Sequence, residues 1–586
     1  MSDTASTRAT RHTSDRPLLA APDLLSSLVP LLAAWVPRQR WFAGKGRLIT
    51  GFTLVSATEL LPCTTDGSTP GLLQLLVRAQ QNAPAGRTPA ADCYQLLLGV
   101  HPAPPPRLAP AAIGRPSGGP LRGRTVYDAL LDSRLCGLLL ERLRTPGRIG
   151  ALRFYREPDR DIASGLPARP IAVEQSNSSI VYGDTYILKV FRRIAPGINP
   201  DLELPRALAD VNCARVPAPA AWYEADAADD GGEATTLGVL QPFLPGSADG
   251  WQLALNALAV RADFTGSARA LGHATAEVHT ALAETLPTTA LHSPQLETIA
   301  ARMAERLDAT ARAVPALQPY RARLRAAFDA LAAVGQDGRS WAAQRIHGDL
   351  HLGQTLRSAE EGRWSLIDFE GEPARPLGER RRPQPALRDV AAMLRSFDYA
   401  ARSGPSGGDP WSLEWARRTR DAYCRGYAEA GGLDPRSAPE LMRAYETDKA
   451  VYEVLYEARH RPDWLSVPMA AIHRLAAGEE RLEDGDGPVG VEGMERADGA
   501  SRSGRGGGEA VRAPRGGGGT GSAWTAGGGG AGRGGGPAGA GQSAGASRLA
   551  PSPRLSDSPR YSGSPDSTGS TGASGATRSA RADGRG

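Results

Sequence analysis

Residues 344–370 read QRIHGDLHLGQTLRSAEEGRWSLIDFE, and the order of polar and apolar residues in this stretch predicts a hairpin. The apolar run near its end, from Trp364 to Phe369, predicts a short buried strand. The polar residues 357–362 before that run predict the turn of a hairpin. Such a hairpin would bring three oxygen-bearing side chains to one edge, those of Asp349, Gln354 and Asp368.

This arrangement is typical of the way protein kinases place their base and their metal ligands. Phosphoryl transfer needs a carboxylate that orients and deprotonates the attacking hydroxyl, and oxygen ligands that hold Mg²⁺ on the phosphates. We therefore predict that Asp349 is the base and that Gln354 and Asp368 are Mg²⁺ ligands. The HGDLH sequence at 347–351 contains two histidines, but it lacks the Glu of a zinc-protease helix and includes Gly348, so we expect no zinc site.

Length, charge and cysteine usage restrict the class of protein. The 586 residues can form two or more domains. The net charge of +5 arises in residues 501–586, where 11 Arg face 4 acidic residues, so the other 500 residues carry −2. We therefore expect no nucleic-acid partner. Five cysteines without CxxC spacing suit a reducing compartment. The most apolar N-terminal stretch, 18–36, is interrupted by Pro and Asp, so we expect a cytoplasmic protein that does not enter membranes.

The order of predicted elements indicates an α+β, bilobal, protein-kinase-like fold with an N-terminal β-rich cap and a mainly helical C-terminal lobe. We predict five segments: a disordered N-terminus (1–21), a cap module (22–145), a small nucleotide-binding lobe (146–246), a helical lobe with catalytic and sugar-binding residues (247–484) and a disordered tail rich in Gly, Ser, Ala and Arg (485–586). Within the cap, strands are predicted at 51–61, 71–78 and 93–100, and helices from Leu24 to Val36 and from Tyr127 to Leu143.

Lys189 is the leading candidate for a phosphate contact. It lies in the predicted strand YILKVF, which follows a predicted turn at Gly183 and Asp184. It is one of only three lysines among 68 basic residues. An ammonium is a compact charge that a guanidinium does not reproduce. We expect Glu203 to be its partner, with Asp201 as the rival. The other residues expected around the nucleotide belong to a covering loop and a hinge: Ser176, Asn177, Ser178, Gln241 and Phe243.

Three longer runs resemble bacterial maltokinases, within the aminoglycoside-phosphotransferase-like group of kinases. They are the run from His347 through DFEGEPARPLGERRRPQPALRDVAAMLRSFDYAA, RQRWFAGKGR at 38–47 and VYEVLYEARHRPDWLSVP at 451–468. The resemblance covers about residues 24–480 and implies ATP-dependent phosphorylation of maltose at its anomeric hydroxyl, giving maltose 1-phosphate for α-1,4-glucan (glycogen) synthesis. It also implies functional coupling with trehalose synthase, and we expect a monomer. The Gln at position 354 departs from the wider group, which usually has Asn there.

The resemblance also implies a sugar site in the helical lobe. Tyr452 and Tyr456 are four residues apart on one predicted helix, so both rings face the same way, although core packing is the alternative for such a pair. His347 and Arg474 are further candidates for the sugar. We expect Asp389, at the start of a helix, to cap that helix or to brace the catalytic loop.

Two other classes of function remain open. An aminoglycoside or choline kinase of the same fold would need a more acidic pocket that can hold a cation. A non-catalytic pseudokinase scaffold is the second alternative, and the joint presence of Lys189, Asp349 and Asp368 argues against it.

Overall fold

The structure is a computed structural model that describes residues 23–62, 64, 69–82, 91–171, 176–227, 232–336, 338–373, 375–403 and 407–478. All of these residues belong to one of the two units into which the chain divides. The segments predicted to be disordered, 1–21 and 485–586, lie outside the described residues. No helix in the described part is both long enough and apolar enough to cross a lipid bilayer.

The cap is one helix packed on an antiparallel sheet, and its three predicted long strands are confirmed. Its elements are α1 (Leu24–Trp35), β1 (Ile49–Leu61), β2 (Gly71–Gln81), β3 (Ala91–His101), β4 (Ala112–Gly114) and β5 (Thr125–Asp128), with the sheet order β1-β2-β3-β5-β4. Strand β2 is buried on both faces from Gly71 to Val77, where five of the seven residues are Leu or Val. Leu73 and Val77 belong to the core that contains Leu28 of α1, whereas Leu72 and Leu76 belong to the core of the next lobe.

The helix predicted from Tyr127 is wrong at its start. Tyr127 lies in β5, and helix α2 spans Ser133–Arg144. Asp132 begins this helix, because its side chain accepts a hydrogen bond from the backbone N–H of Arg134 at 3.1 Å. The Tyr127 hydroxyl also donates to the same carboxylate at 3.0 Å. Capping by Asp132 therefore divides an apolar run that looked like one helix.

The small lobe is built on a seven-stranded sheet with one helix. Its elements are β6 (Gly147–Ile149), β7 (Leu152–Arg156), β8 (Ala168–Pro170), β9 (Asn177–Tyr182), β10 (Tyr186–Phe191), β11 (Arg193–Ile194), α3 (Pro200–Asp210), β12 (Ala221–Ala225) and β13 (Thr235–Pro242). The sheet order is β6-β7-β12-β13-β10-β9-β8. The predicted turn between β9 and β10 is confirmed, and Gly183 and Asp184 both have positive φ there, +56° and +51°.

The cap and the small lobe share structure across the predicted boundary at residue 145. Strand β11 leaves the small-lobe sheet and pairs with β3 of the cap, with Arg193 opposite Tyr94 and Ile194 opposite Cys93. Leu139 of α2 lies in the same hydrophobic core as residues of both sheets. The boundary between the two segments therefore remains a proposal.

The C-terminal lobe is mainly helical. Its helices are α4 (Gly250–Ala259), α5 (Thr265–Thr285), α6 (Ser293–Ala313), α7 (Arg321–Gln336), α8 (Leu377–Arg380), α9 (Leu387–Ser403), α10 (Pro410–Glu429), α11 (Pro439–His460) and α12 (Ser466–Ala477). Its short strands are β14 (Ser247–Asp249), β15 (Thr289–Leu291), β16 (Trp341–Ala343), β17 (Thr355–Ser358) and β18 (Trp364–Leu366). The predicted hairpin is β17–β18, and β14 pairs with β17 directly after the link from the small lobe. The expected α+β fold is confirmed.

Candidate active site

Lys189 lies in the middle of β10 and contacts a group of carboxylates. Its ammonium is 2.9 Å from Oδ2 of Asp201 and 2.6 Å from Oε1 of Glu370, and it also contacts Asp368. Burial would lower the pKa of Lys189, but the three carboxylates outweigh burial and raise it well above its usual value. Lys189 is therefore a charged donor at the junction of the two lobes.

The predicted pairing of Lys189 with Glu203 is wrong, and the rival Asp201 takes that place. Both acidic residues lie in the first turn of α3, but residues two positions apart on a helix do not face the same way. Asp201 is buried and also accepts a hydrogen bond from the backbone N–H of Phe369 at 2.7 Å. Glu203 instead pairs with Arg345 at 2.7 Å.

The register of β9 against β10 corrects the prediction for Ser178. Ser179 lies opposite Lys189, and Ser178 lies opposite Val190. Opposite residues share a face of the sheet and successive residues alternate between faces, so the Ser178 side chain points away from Lys189. Its hydroxyl accepts a hydrogen bond from Nε of Arg192 at 2.8 Å. Ser179, one residue later, is on the face of Lys189.

Asn177 and Ser176 lie where the covering loop meets the carboxylates. The Asn177 amide donates a hydrogen bond to the carboxylate of Glu370, and it is 3.4 Å from Oγ of Ser176. Ser176 is exposed. The preceding loop residues 172–175 lie outside the described part of the chain.

The predicted hinge residues lie at the end of the small-lobe sheet. Gln241 is paired with Ile187 in the β13–β10 ladder. The backbone N–H of Phe243 donates to the carbonyl of Thr185 at 2.8 Å. The hinge is therefore anchored to the hairpin that carries Lys189.

Gln354 and Asp368 lie together at the β17–β18 hairpin and fit a divalent cation. Nε2 of Gln354 donates to Oδ2 of Asp368 at 2.8 Å. Oε1 of Gln354 is buried and has no hydrogen-bond partner among the described residues. Oxygen atoms of Asp201, Asp368 and Glu370 all lie within 4.8 Å of one another. Hard cations such as Mg²⁺ prefer carboxylate and amide oxygens, so these residues suit one. Asp368 also has a φ of +69°, a backbone strain of the kind found at functional sites.

Asp389 braces the loop that carries Asp349, as expected. Its carboxylate accepts hydrogen bonds from the backbone N–H groups of His347 at 2.8 Å and Gly348 at 2.9 Å, and it pairs with Nε2 of His279 at 3.0 Å. Burial would raise the pKa of Asp389, but the contact with His279 and the N–H donors lower it. Gly348 has a φ of +81°, and a Cβ there would lie 3.2 Å from Cα of Gly371.

His347 is buried in the described part of the chain, and this argues against its predicted role as a sugar contact. The residue is 1% exposed, and its Nε2 is 2.9 Å from the carbonyl of Ile367. Its ring centroid lies 4.6 Å from that of Phe369. His347 therefore ties the Asp349 loop to the strand that ends at Asp368.

Asp349 is paired with the third lysine of the chain. Nζ of Lys449, on α11, lies 3.0 Å from Oδ1 of Asp349. Burial raises the pKa of Asp349, and the neighbouring ammonium offsets this rise only in part, so the net direction is upward. Burial lowers the pKa of Lys449, but Asp349 and Glu372 raise it further, so Lys449 is charged.

A cavity next to Gly348 and Lys449 has a lining of paired charges; we call it the Lys449 cavity. Its other lining residues are Arg306, Glu372, Arg388, Asp389, Ala392, Tyr445, Asp448 and Tyr452. Glu372 accepts hydrogen bonds from Arg375 at 2.7 Å and Arg388 at 3.0 Å. Burial alone would raise the pKa of Glu372, but these guanidinium groups lower it to about 2. Asp448 lies 3.1 Å from Arg306.

The three predicted sugar contacts of the helical lobe are not all at this cavity. Tyr452 lines it, and Tyr456 stacks one turn further along α11 with a centroid distance of 6.3 Å. Tyr456 is 8% exposed and packs against His460 at 4.8 Å. Arg474 instead donates to Asp398 at 2.6 Å, inside a separate group of buried ion pairs. Of these three predicted sugar contacts, only Tyr452 lines the cavity beside the loop of Asp349.

Comparison with protein families matches the cap and the segment that contains Lys189, Asp349 and Asp368. Residues 35–132 match the family model of the maltokinase N-terminal cap domain, and residues 167–439 match that of the phosphotransferase enzyme family. A glucosamine kinase of Mycolicibacterium smegmatis (strain ATCC 700084 / mc(2)155) is 30% identical over 329 residues, which cover 52% of this chain and 79% of the relative. The chain belongs to the phosphotransferase enzyme family, in its group of sugar kinases.

A second relative agrees with this membership, and two solved structures share the fold. The glucosamine kinase of Streptacidiphilus jiangxiensis is 31% identical over 355 residues, covering 54% of this chain and 74% of the relative. The solved structure of a glucosamine kinase in complex with glucosamine, ADP and inorganic phosphate has a TM-score of 0.54 and 23% identity, covering 76% of this chain and 98% of that chain. A second crystal form of a glucosamine kinase has a TM-score of 0.55 and 22% identity, covering 76% and 99%. At this identity the structures show the fold alone.

Sequence reasoning missed several residues of this phosphotransferase site. Glu370 and Lys449 were not among the predicted site residues, nor were the ion pairs that line the cavity. The signal for Lys449 was present, because lysine is scarce in this chain and each of the three stood out. The signal for Glu370 was its place two residues after Asp368 at the end of a buried strand.

Proposed function

We propose that this chain is a maltokinase, which transfers the γ-phosphoryl group of ATP to the anomeric hydroxyl of maltose and gives maltose 1-phosphate and ADP. The observation that carries the choice of a neutral sugar is the state of the carboxylates around the Lys449 cavity. Glu372 and Asp448 face guanidinium groups, and Asp349 faces an ammonium. An amino sugar or an aminoglycoside would have to compete with these cations for the same carboxylates. The match of residues 35–132 to the maltokinase cap supports maltose in particular.

In the proposed reaction Asp349 is the base. The acceptor oxygen loses its proton to the Asp349 carboxylate and forms a bond to the γ-phosphorus, while the bond from that phosphorus to the β–γ bridging oxygen breaks and ADP leaves. Asp389 holds the loop so that the carboxylate stays in place. Positioning of this kind supplies much of the acceleration in phosphoryl transfer, because little covalent chemistry falls to the protein.

The nucleotide would lie between the small lobe and the hairpin. Lys189, anchored by Asp201, would bind phosphate oxygens, and Ser176 and Asn177 would cover them. Ser179 is a better candidate than Ser178 for this face. Gln241 and Phe243 would border the adenine. Mg²⁺, when bound, would neutralise charge on the phosphates, and Gln354, Asp368 and Glu370 are the residues that would hold it.

The resemblance to maltokinases also motivates a proposal about cellular context. We propose that the enzyme is cytoplasmic and monomeric, that its product enters α-1,4-glucan (glycogen) synthesis, and that it acts in concert with a trehalose synthase. The tail beyond residue 485 departs from that resemblance.

Glucosamine phosphorylation is the second candidate function, because the two relatives described above are named glucosamine kinases. The test is to incubate the purified full chain with ATP and Mg²⁺ and to offer maltose, glucose, glucosamine and kanamycin separately. We expect ADP release with maltose above all, and glucose should be poorer because it makes half of the ring contacts.

The product identifies the position of the phosphoryl group. Phosphorus NMR should detect a sugar 1-phosphate, and the reducing end of maltose should be lost. Turnover with glucosamine but not with maltose, or a product that remains reducing, would contradict the proposal and leave a sugar kinase with another acceptor.

A further inference from the structure

The ion pair between Lys449 and Asp349 joins two elements that are far apart in the sequence. Asp349 lies in the loop before β17, and Lys449 lies 100 residues later in the middle of α11. Their Nζ and Oδ1 atoms are 3.0 Å apart, and both side chains are 15% exposed. A pair shielded in this way is weakened by solvent and salt much less than a surface pair.

Lys449 is held in one place by more than this contact. Its ammonium lies 5.2 Å from the ring centroid of Tyr452, one turn further along α11, within the range of a cation–π contact. The other titratable groups that influence Asp349 are Glu372, which raises its pKa, and His347, which lowers it. Lys449 is the cation in direct contact with the carboxylate among the described residues.

The contact occupies one of the two carboxylate oxygens. Oδ1 of Asp349 accepts the hydrogen bond from Lys449, and no described residue donates a hydrogen bond to Oδ2. A carboxylate fixed through one oxygen presents the other in a defined direction. Proton transfer from an acceptor hydroxyl requires a distance of about 2.6–3.2 Å, so this direction determines whether the base can work.

We propose that Lys449 is a positioning residue, which holds Oδ1 of Asp349 so that Oδ2 faces the hydroxyl of the acceptor. This inference rests on the role of Asp349 as base in the proposed function, but it does not depend on which sugar is the acceptor. It also accounts for the retention of a lysine in a chain where Arg supplies nearly all basic residues. A guanidinium is larger and donates from a planar fork, so it would displace the carboxylate that a compact ammonium holds.

The test compares Lys449→Met, Lys449→Arg and Arg459→Met, each in the full chain. Arg459 is exposed on the same helix, so its substitution removes a positive charge from α11 away from Asp349. The assay uses whichever sugar the unmodified enzyme phosphorylates fastest. We expect Lys449→Met to lower kcat by up to about 10²-fold, because a displacement of a reacting group by about 1 Å can lower the rate by that factor. The KM for ATP should not change, since the contacts of Lys449 within the described residues are with Asp349 and Tyr452 and not with the residues proposed to bind the nucleotide.

The pH profile separates positioning from a purely structural role. Lys449 lowers the pKa of Asp349, so its removal should raise that pKa and shift the acid limb of kcat/KM to higher pH. Lys449→Arg keeps the positive charge, so it should leave the acid limb in place and lower kcat to an intermediate level. Arg459→Met should resemble the unmodified enzyme in kcat, in KM for ATP and in the acid limb.

Several outcomes would overturn the inference. One is an unchanged kcat and acid limb in Lys449→Met. Another is that Lys449→Arg is fully active while Lys449→Met does not fold. The ion pair would then stabilise the fold without positioning the base. Failure of maltose as acceptor, with another sugar phosphorylated, would sink the maltokinase proposal and leave this test intact. Absence of phosphoryl transfer to any sugar would overturn both.

Discussion

Lys189 and Lys449 belong to different lobes, and each contacts acidic residues of the candidate active site. Lys189 faces three carboxylates, whereas Lys449 faces the single carboxylate of Asp349. Carboxylates thus outnumber the cation on the side of Lys189, which we call the nucleotide side. On the side of Lys449, which we propose to be the acceptor side, each of three carboxylates has a cationic partner: Asp349 pairs with Lys449, Asp448 with Arg306, and Glu372 with both Arg375 and Arg388. The excess of carboxylates around Lys189 suits a site that takes a further cation together with phosphates, and the paired carboxylates around Lys449 suit an uncharged acceptor.

Asp368→Ala should give the largest effect, because it removes a carboxylate that serves both Lys189 and Gln354. We expect loss of measurable phosphoryl transfer and loss of the Mg²⁺ dependence of nucleotide binding. The measurement is thermal stabilisation by ATP, with and without Mg²⁺, beside the activity assay. Retention of Mg²⁺-dependent stabilisation in the variant would remove Asp368 from the proposed metal ligands.

Asp349→Asn should lower the rate of phosphoryl transfer on the acceptor side and leave nucleotide binding on the other side intact. The amide keeps the size of the carboxylate but cannot accept a proton, and loss of a positioned base typically costs about 10²–10⁴ in rate. Nucleotide binding, followed by the same thermal shift, should stay close to that of the unmodified enzyme. A near-normal kcat would show that Asp349 is not the base.

Tyr452→Ala and Tyr456→Ala should give the smallest effects, and they test how far the acceptor side extends along α11. Tyr452 lines the Lys449 cavity and Tyr456 packs one turn away, so we expect the KM for the sugar to rise more in the first variant than in the second. The KM for ATP should not change in either. Equal increases of the sugar KM in both variants would extend the acceptor site to Tyr456, and melting curves would control for loss of packing.

The sequence was a good guide to elements that local pattern determines. The hairpin β17–β18, the β9–β10 turn and the long cap strands followed from apolar alternation and from turn residues. The brace formed by Asp389 followed from its place at the start of a helix. The false start of α2 shows the limit of the same approach, because an apolar run alone does not reveal that Asp132 caps a new helix inside it.

What the sequence did not reveal depends on the direction of side chains and on contacts between distant segments. Asp201 and Glu203 lie at similar distances from Lys189 in the sequence, and only the orientation of α3 decides which one contacts it. Ser178 and Ser179 differ by one residue, which in a strand is the difference between two faces. The partner of Lys449 lies 100 residues away, and no local pattern relates the two.

The pairing of β11 with β3 has a consequence for how the chain is made. The edge of β3 at Cys93 and Tyr94 is completed by residues that follow Lys189 by only a few positions. During synthesis the cap therefore keeps an unpaired strand edge until residues 193–194 have left the ribosome, by which time about half of the small lobe, up to β11, has also been made. We expect a nascent chain that stops near residue 145 to expose this edge to other chains, so the cap matures together with its neighbour and not ahead of it.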